Sequence, residues 1–143
     1  SRETCRDIRE CSDPWKILMI HQPLVSPGEH GCLEGSNERY VKNIIKNGID
    51  LVLSGHDHLQ ACASMKIGNR DVIQVVNGAG AKRYFDDPDD HIHPEYINNK
   101  RGYNLLHCNA ELGYCQLDMK PKSLKIDYLN KNNKVLFTHK ISK

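Results

Sequence analysis

Histidines follow two apolar segments of this chain, in a pattern that is typical of metal ligands. Residues 16–20 form an apolar run that leads into His21, and residues 50–53 lead into Ser54-Gly55-His56-Asp57-His58. Histidines one residue apart at the end of a strand can point to the same side and reach neighbouring ions. The chemistry that such a shared site indicates is hydrolysis of a phosphate ester with the help of two metal ions.

Three nearby residues have predicted supporting roles. His30, in the glycine-flanked segment 27–31, would donate to a phosphate oxygen or protonate a leaving group; the alternative is a solvent-exposed histidine. Asp57 would orient an imidazole or hold the turn, and Gly55 would let the backbone approach closely without a Cβ clash.

The other histidines give weaker patterns. His91 and His93 are spaced like a metal pair, but no apolar strand precedes them, which favours a solvated loop. His107 and His139 lie in strand patterns and are predicted to be structural. The turn Gly78-Ala79-Gly80 is predicted to be a tight bend near the site, because no helix follows it to form a phosphate loop.

The elements that must position these residues begin with a βαβ pattern. It comprises a buried strand at 15–21, a long loop at 22–35, a helix at about 36–47 and a strand at 49–54. Ser36 or Asn37 would cap the helix and Gly48 would end it. A βαβ unit makes its two strands parallel, so both histidine segments would meet at one sheet edge.

The rest of the chain is predicted to be β-hairpins and polar loops. Strands are predicted at 61–67, 71–77, 103–108, 113–119, 123–129 and 134–140. Residues 82–101 look like an exposed loop. The predicted organisation is a polar N-terminal loop at 1–14 and one domain at 15–143.

Composition limits the classes of protein to consider. The chain has 143 residues, 38% hydrophobic and 27% charged, with a net charge of +2 and no basic stripe that would indicate nucleic acid. No apolar run approaches a membrane span of about 20 residues. Six cysteines, an even number, favour an oxidising compartment with some disulfides, and the alternative is buried free thiols.

These motifs resemble the calcineurin-like metallophosphoesterases, and within them the purple acid phosphatases, especially the small tartrate-resistant type. The resemblance is carried by His21-Gln22-Pro23, Glu29-His30-Gly31, Gly48-Ile49-Asp50, Ser54-Gly55-His56-Asp57-His58, Asn77-Gly78-Ala79-Gly80 and Gly113-Tyr114. It implies an α/β fold, the C-terminal half of a four-layer α/β/β/α sandwich in which a mixed sheet contains the βαβ unit and hairpins follow.

The resemblance also implies a function and roles for single residues. The family hydrolyses phosphomonoesters by in-line attack of a metal-bound hydroxide at a dinuclear centre, Fe(III) plus a divalent iron, zinc or manganese ion. His21 and His56 would bind the divalent ion, His58 the ferric ion, and His30 would act at the substrate phosphate. Ala81, where the family often has asparagine, and the position of Cys32 depart from the pattern.

The remaining ligands of such a centre come from the first half of the family's domain. We therefore expect an acid phosphatase whose N-terminal half is the partner of this segment, located outside the cell or in a lysosome-like endomembrane lumen. The segment alone should be inactive and should expose apolar surface. The alternatives are an inactive, membrane-anchored receptor or scaffold of the same fold, and a metallophosphoesterase that acts on phosphodiesters or nucleotides.

Overall fold

Two β-sheets and a helical layer form the chain. The computed structural model describes residues 1–83 and 88–143. The helices are α1 (Arg2–Glu10), α2 (Gly35–Ile45) and α3 (Glu95–Asn98), with a 3₁₀ turn at Pro88–His91. The strands are β1 (Ile17–Met19), β2 (Leu51–Ser54), β3 (Gln60–Ile67), β4 (Arg70–Asn77), β5 (Tyr103–Asn109), β6 (Gly113–Lys120), β7 (Ser123–Asn130) and β8 (Val135–Ser142).

The first sheet is mixed and the second is antiparallel. The five-stranded sheet has the order β1-β2-β4-β3-β5, and the three-stranded sheet has the order β6-β7-β8. β1 pairs in parallel with β2, and β2 pairs in parallel with β4. The predicted βαβ unit and the hairpins that follow it are therefore confirmed.

The helical layer covers one face of the mixed sheet. Val41, Ile44 and Ile45 of α2 are buried against residues of the sheet that include Val52 and Met65. Neither predicted capping residue precedes the helix, because α2 begins at Gly35 and its N-cap makes no side-chain hydrogen bond. Gly48 does not end the helix as predicted, because α2 ends at Ile45 with Lys46 as its right-handed C-cap, and Gly48 follows in the turn with a positive φ of 129°.

The second sheet covers the other face. Leu51, Ile73 and Val75 of the mixed sheet pack against Leu124 and Ile126 of β7. The fully buried Tyr128 on β7 donates its hydroxyl to the carbonyl oxygen of Ala61 at 2.9 Å. Helices, mixed sheet and second sheet thus stack as three layers, which confirms the predicted α/β fold class.

β1 is not the buried strand that its apolar run predicted. The run is only three residues long as a strand, its residues are partly exposed, and Met19 is 77% exposed. In the sheet order β1 is an edge strand that pairs with β2. A continuous apolar run does not distinguish an edge strand from a central one.

Residues 1–14 were predicted to be a loop, but α1 occupies most of this segment. Ser1 Oγ accepts a hydrogen bond from the backbone N–H of Thr4 at 3.2 Å and so caps the helix. Cys5 is buried, and Ile8 packs against the core under α2. Two apolar contacts on a polar helix gave too weak a periodicity to be recognised. The proposed domain boundary at residue 15 stays a prediction.

The predicted exposed loop at 82–101 is partly wrong. Its residues 84–87 lie outside the described residues, but the 3₁₀ turn and α3 follow them. Ile97 of α3 is fully buried and belongs to the main core. Ile97 and the partly buried Ile92, which packs against a smaller cluster, thus help to hold this polar segment on the protein.

The cysteines do not form the disulfides that their even number favoured. All six cysteines are free thiols. Burial raises the pKa of Cys62 to about 11 and of Cys115 to about 12, which keeps both thiols protonated.

In the described part of the chain, no helix has the length and apolar character needed to span a membrane.

Candidate metal and phosphate site

Three parallel strands end at the same edge of the mixed sheet and place the predicted residues there. His21 lies two residues beyond β1, His56 lies two residues beyond β2, and Asn77 ends β4. The backbone ties the first two together, because the N–H of Gly55 donates to the carbonyl oxygen of His21 at 3.2 Å. The sequence prediction that both histidine segments meet is correct.

The imidazoles of His21 and His56 converge. His56 Nδ1 lies 3.1 Å from His21 Nε2, and the two rings meet edge to face at 75°. Two nitrogens bound to one tetrahedral zinc ion at about 2.0–2.1 Å are separated by roughly 3.3 Å. The pair therefore fits two ligands of a single divalent ion.

His56 has a strained backbone and a shifted pKa. Its φ of 69° is in the left-handed region, which is uncommon for a residue with a side chain and often marks functional sites. Burial lowers the pKa of His56, the nearby charges of His30, His21 and His58 lower it further, and Asp57 opposes them. The neutral imidazole that binds metals is thus the favoured form.

His30 lies on the other side of His56 from a neighbouring loop. The ring centroids of His30 and His56 are 4.3 Å apart, and His30 is exposed. The two rings border a narrow cleft of about 130 Å³. His30 is therefore placed to contact a ligand that also contacts His56.

Asp57 holds the His30 loop against the turn. This fully buried residue accepts a hydrogen bond at Oδ1 from the backbone N–H of His30 at 3.2 Å. Two glycines make room for it: a Cβ on Gly28 would lie 2.4 Å from Asp57 Cγ, and one on Gly78 would lie 1.9 Å from its carbonyl oxygen. The close approach predicted for Gly55 occurs at these glycines instead, since a Cβ on Gly55 would meet its nearest neighbour at 3.9 Å.

His58 is the third predicted ligand. It is half-buried, and its charge acts on His56. Within residues 1–83 and 88–143, however, no three His, Cys, Asp or Glu side chains converge closely enough to hold a metal ion. The chain brings His21, His56 and His30 together but does not complete a metal site from its described residues.

The segment around His91 contacts the site, although the sequence favoured a solvated loop. The ring of His91 contacts the carboxylate of Glu29, and its side chain is only 16% exposed. The backbone N–H of His93 donates to the carbonyl oxygen of Pro27 at 2.7 Å. Both contacts are long-range, and the local sequence gave no sign of them.

Gln74 is a positioning residue that sequence reasoning missed. It is fully buried in β4, where its Oε1 accepts from the N–H of Leu24 at 3.0 Å and its Nε2 donates to Ser54 Oγ at 2.9 Å. An amide within the apolar run 72–76 was the available signal. His107 and His139, by contrast, lie in strands with their rings parallel to that of Phe137, as structural histidines would.

Two solved structures have a fold similar to that of this chain. A purple acid phosphatase, PPD1 from yellow lupin seeds, matches 99% of this chain and 28% of its own with a TM-score of 0.73 at 17% identity. GAP50, described as the anchor in the inner membrane complex of Plasmodium, matches 98% of this chain and 40% of its own with a TM-score of 0.70 at 16% identity. The chain therefore has the fold that these two proteins share.

Curated relatives that match the sequence are acid phosphatases, although no protein-family model matches the chain. Purple acid phosphatase 17 of Arabidopsis thaliana is 36% identical over 87 residues, which is 60% of this chain and 24% of the relative. Tartrate-resistant acid phosphatase type 5 of Oryctolagus cuniculus is 28% identical over 141 residues, 96% of this chain and 41% of the relative. The chain is thus similar in sequence to purple acid phosphatases, and it spans less than half the length of these relatives.

Proposed function

We propose that this chain contributes one half of a dinuclear metal centre that hydrolyses phosphomonoesters in a longer acid phosphatase. The observation that carries the proposal is the 3.1 Å approach of His56 Nδ1 to His21 Nε2, with the ring of His30 4.3 Å from that of His56. Phosphate-ester hydrolysis needs nitrogen ligands that converge on a metal ion and a nearby proton donor. His21 and His56 supply such ligands, and His30 supplies the donor.

The four histidines have three roles in this proposal. His21 and His56 hold a divalent iron, zinc or manganese ion, and His58 holds Fe(III). When bound, the two ions lower the pKa of water and neutralise the phosphate oxygens. His30 donates a hydrogen bond to the phosphate or a proton to the leaving alcohol, and Asp57 keeps the backbone of His30 in place at 3.2 Å.

The N-terminal half of the same protein is the proposed partner, and β1 is where it would bind. β1 is an edge strand with Met19 77% exposed, and an edge strand is a template for pairing. A groove of about 530 Å³ adjoins it, lined by residues that include Met19, Ile20, His21, Leu53, Val75 and Leu117. A strand added there would cover apolar surface and bring further ligands to His21. Secretion or an endomembrane location is a further part of this proposal, and it is based on the resemblance to purple acid phosphatases.

Metal analysis of the full-length protein tests the proposal. We expect about two ions per molecule, one of them iron. His21→Ala and His56→Ala should each lose the divalent ion and the hydrolysis of p-nitrophenyl phosphate. His139→Gln, which changes a histidine on β8, is the matched control and should retain both.

A folded full-length protein that binds no metal would contradict the proposal. It would favour the second candidate, an inactive receptor or scaffold of the same fold. One observation favours that candidate: GAP50, described as the anchor in the inner membrane complex of Plasmodium, has a similar fold with a TM-score of 0.70. Phosphatase activity from the 143-residue chain alone would contradict the proposed need for a second half. Preference for phosphodiesters or nucleotides over phosphomonoesters would correct the substrate class.

A further inference from the structure

The loop that carries His30 is held from a second side by a segment that the proposed reaction does not use. Three contacts join the loop at 26–32 to the segment 91–97. They are the contact of His91 Nδ1 with the carboxylate of Glu29, the 2.7 Å hydrogen bond from His93 N–H to the carbonyl of Pro27, and a weak 3.6 Å one from Cys32 Sγ to the carbonyl of Tyr96. The loop is therefore held by hydrogen bonds from two sides, with Asp57 on one side and the segment 91–97 on the other.

Of the three contacts, the one between His91 and Glu29 acts nearest to His30. Glu29 directly precedes His30, and Gly31 directly follows it with a positive φ of 64°. The N–H of Gly31 also donates to the carbonyl of Gly28 at 2.9 Å and closes the turn. Because both flanks of His30 are fixed, the direction of its side chain depends on where Glu29 is held. The side chain of His91 is 16% exposed against 45% for Glu29, so the buried partner anchors the exposed one.

His30 borders two cavities, so the direction of its side chain decides which groups of a bound substrate the imidazole can contact. One is the cleft of about 130 Å³ that it shares with His56. The other is a cavity of about 580 Å³ whose lining includes Glu29, His30, Cys32, Tyr96 and Lys100. A phosphate beside His56 and a leaving group in the larger cavity would contact the same imidazole.

We propose that His91 is a positioning residue that acts through Glu29 to aim the imidazole of His30 at the leaving group of the substrate. This inference rests on the proposed function. A proton donor that is displaced by about 1 Å can lose a factor of up to 10² in rate. The loss should be largest where protonation matters most, which is for substrates with a poor leaving group.

The leaving group of the substrate therefore gives the decisive readout. In the full-length protein, His91→Ala should lower kcat about tenfold for an alkyl phosphate such as β-glycerophosphate, and less than threefold for p-nitrophenyl phosphate, whose leaving group needs no proton. Its metal content should not change. His91→Asn, whose amide nitrogen takes the place of the imidazole Nδ1 and keeps an N–H donor toward Glu29, should recover most of the alkyl phosphatase activity. His139→Gln should behave as the wild type.

A second variant tests the route through Glu29. Glu29→Ala should reproduce the loss caused by His91→Ala, and the double variant should lose no more than either single one, because both remove the same interaction. Equal losses on both substrates, additive losses, or a His91→Asn variant as impaired as His91→Ala would each overturn the inference.

The inference can fail separately from the proposed function. If the wild type binds metal and hydrolyses phosphomonoesters while His91→Ala is fully active on both substrates, only the positioning role is wrong. If the wild type binds no metal, the proposed function is wrong, and nuclear magnetic resonance then decides the contact. His91→Ala should still shift the imidazole signals of His30, and unchanged signals would overturn the positioning role as well.

Discussion

Leu24 and Gln74, fifty residues apart in the chain, share a buried hydrogen bond in which the N–H of Leu24 donates to Gln74 Oε1 at 3.0 Å. Leu24 is 1% exposed and Gln74 is fully buried. The loop that runs from His21 to His30 would otherwise bury this N–H without a partner. A central strand of the mixed sheet thus fixes the start of the loop on which two of the site histidines lie.

Replacing Gln74 by methionine should loosen that loop. Gln74→Met keeps a similar volume but removes the acceptor for Leu24 and the donor to Ser54 Oγ. An unsatisfied buried polar group costs about 1–3 kcal/mol, so we expect the free energy of unfolding to fall by that amount. Urea denaturation of the full-length protein measures it.

Gln116→Met is the control for this prediction. Gln116 lies on β6 and is exposed, so its replacement should change the free energy of unfolding by less than about 0.5 kcal/mol. A Gln74→Met variant that unfolds at the same urea concentration as Gln116→Met would show that the Leu24 hydrogen bond contributes nothing.

Two glycines of one turn should respond differently to the same change. A Cβ on Gly78 would lie 1.9 Å from the carbonyl oxygen of Asp57, whereas a Cβ on Gly80 would have no neighbour within 4 Å. Gly78→Ala must therefore move the turn that carries His56 and His58, at a cost of about 1–3 kcal/mol. Gly80→Ala should leave stability nearly unchanged. Thermal unfolding and metal content of both variants would check this, and equal behaviour would contradict the packing argument.

The mixed sheet could be predicted because its signals are local. The apolar runs before His21 and His56 located β1 and β2, and the strands predicted at 61–67 and 71–77 correspond to β3 and β4. The parallel pairing of β1 with β2 followed from the helix between them. The convergence of His21 and His56 followed in turn, since both come at the carboxyl ends of adjacent parallel strands. The inferred position of the site needed no long-range information beyond this rule.

What could not be predicted depends on contacts between distant segments. The segment of His91 has an ordinary polar sequence, and only its packing on the loop at Glu29 reveals a role. The exposure of Met19 depends on which strands lie beside β1, and the local sequence does not state this. The helix α1 was missed because just two of its residues, Cys5 and Ile8, face the core.

The carboxylate of Asp50 contacts Lys16 near the start of the chain and Lys143 at its end. Its removal should lower the free energy of unfolding. It is 8% exposed, accepts from the backbone N–H of Lys16 at 2.9 Å, and pairs with Arg70 at 2.9 Å and Lys143 at 2.8 Å. Asp50→Asn leaves two cations without their anion, and we expect a loss of about 1–3 kcal/mol in the free energy of unfolding.

An exposed ion pair provides the control for Asp50. Lys66 and Asp71 lie 3.2 Å apart with side chains 52% and 84% exposed, and such pairs contribute about 0–1 kcal/mol. Asp71→Asn should therefore shift the urea midpoint far less than Asp50→Asn. The loss caused by Asp50→Asn should also shrink in high salt, because Arg70 and Lys143 are partly exposed. Equal effects of the two substitutions would sink the prediction.

The stability of the protein should fall with acid partly because of His107. Burial lowers the pKa of His107 from its ordinary value of 6.5, and its ring stacks on Phe137 with centroids 4.6 Å apart. Its Nε2 lies 2.9 Å from Asn109 Nδ2, which donates to the unprotonated nitrogen. Below pH 6.5 the unfolded chain thus takes up this proton more readily than the folded one.

The contribution of the neutral His107 to the free energy of unfolding is therefore fully present above pH 6.5. It is lost as the pH falls through the lower pKa of the folded state. His107→Phe keeps a ring against Phe137 but cannot titrate, so its free energy of unfolding should decline less steeply between pH 6.5 and about 5. At pH 8 the imidazole is neutral in both states, and the difference between variant and wild type there gives the pH-independent offset. His139 is a second titrating group, because burial lowers its pKa as well. The single variant His107→Phe should therefore keep part of the acid sensitivity of the protein. The double variant His107→Phe/His139→Phe should lose that part too. Parallel stability curves for wild type and His107→Phe from pH 8 to pH 5 would show that this buried imidazole does not govern the acid response.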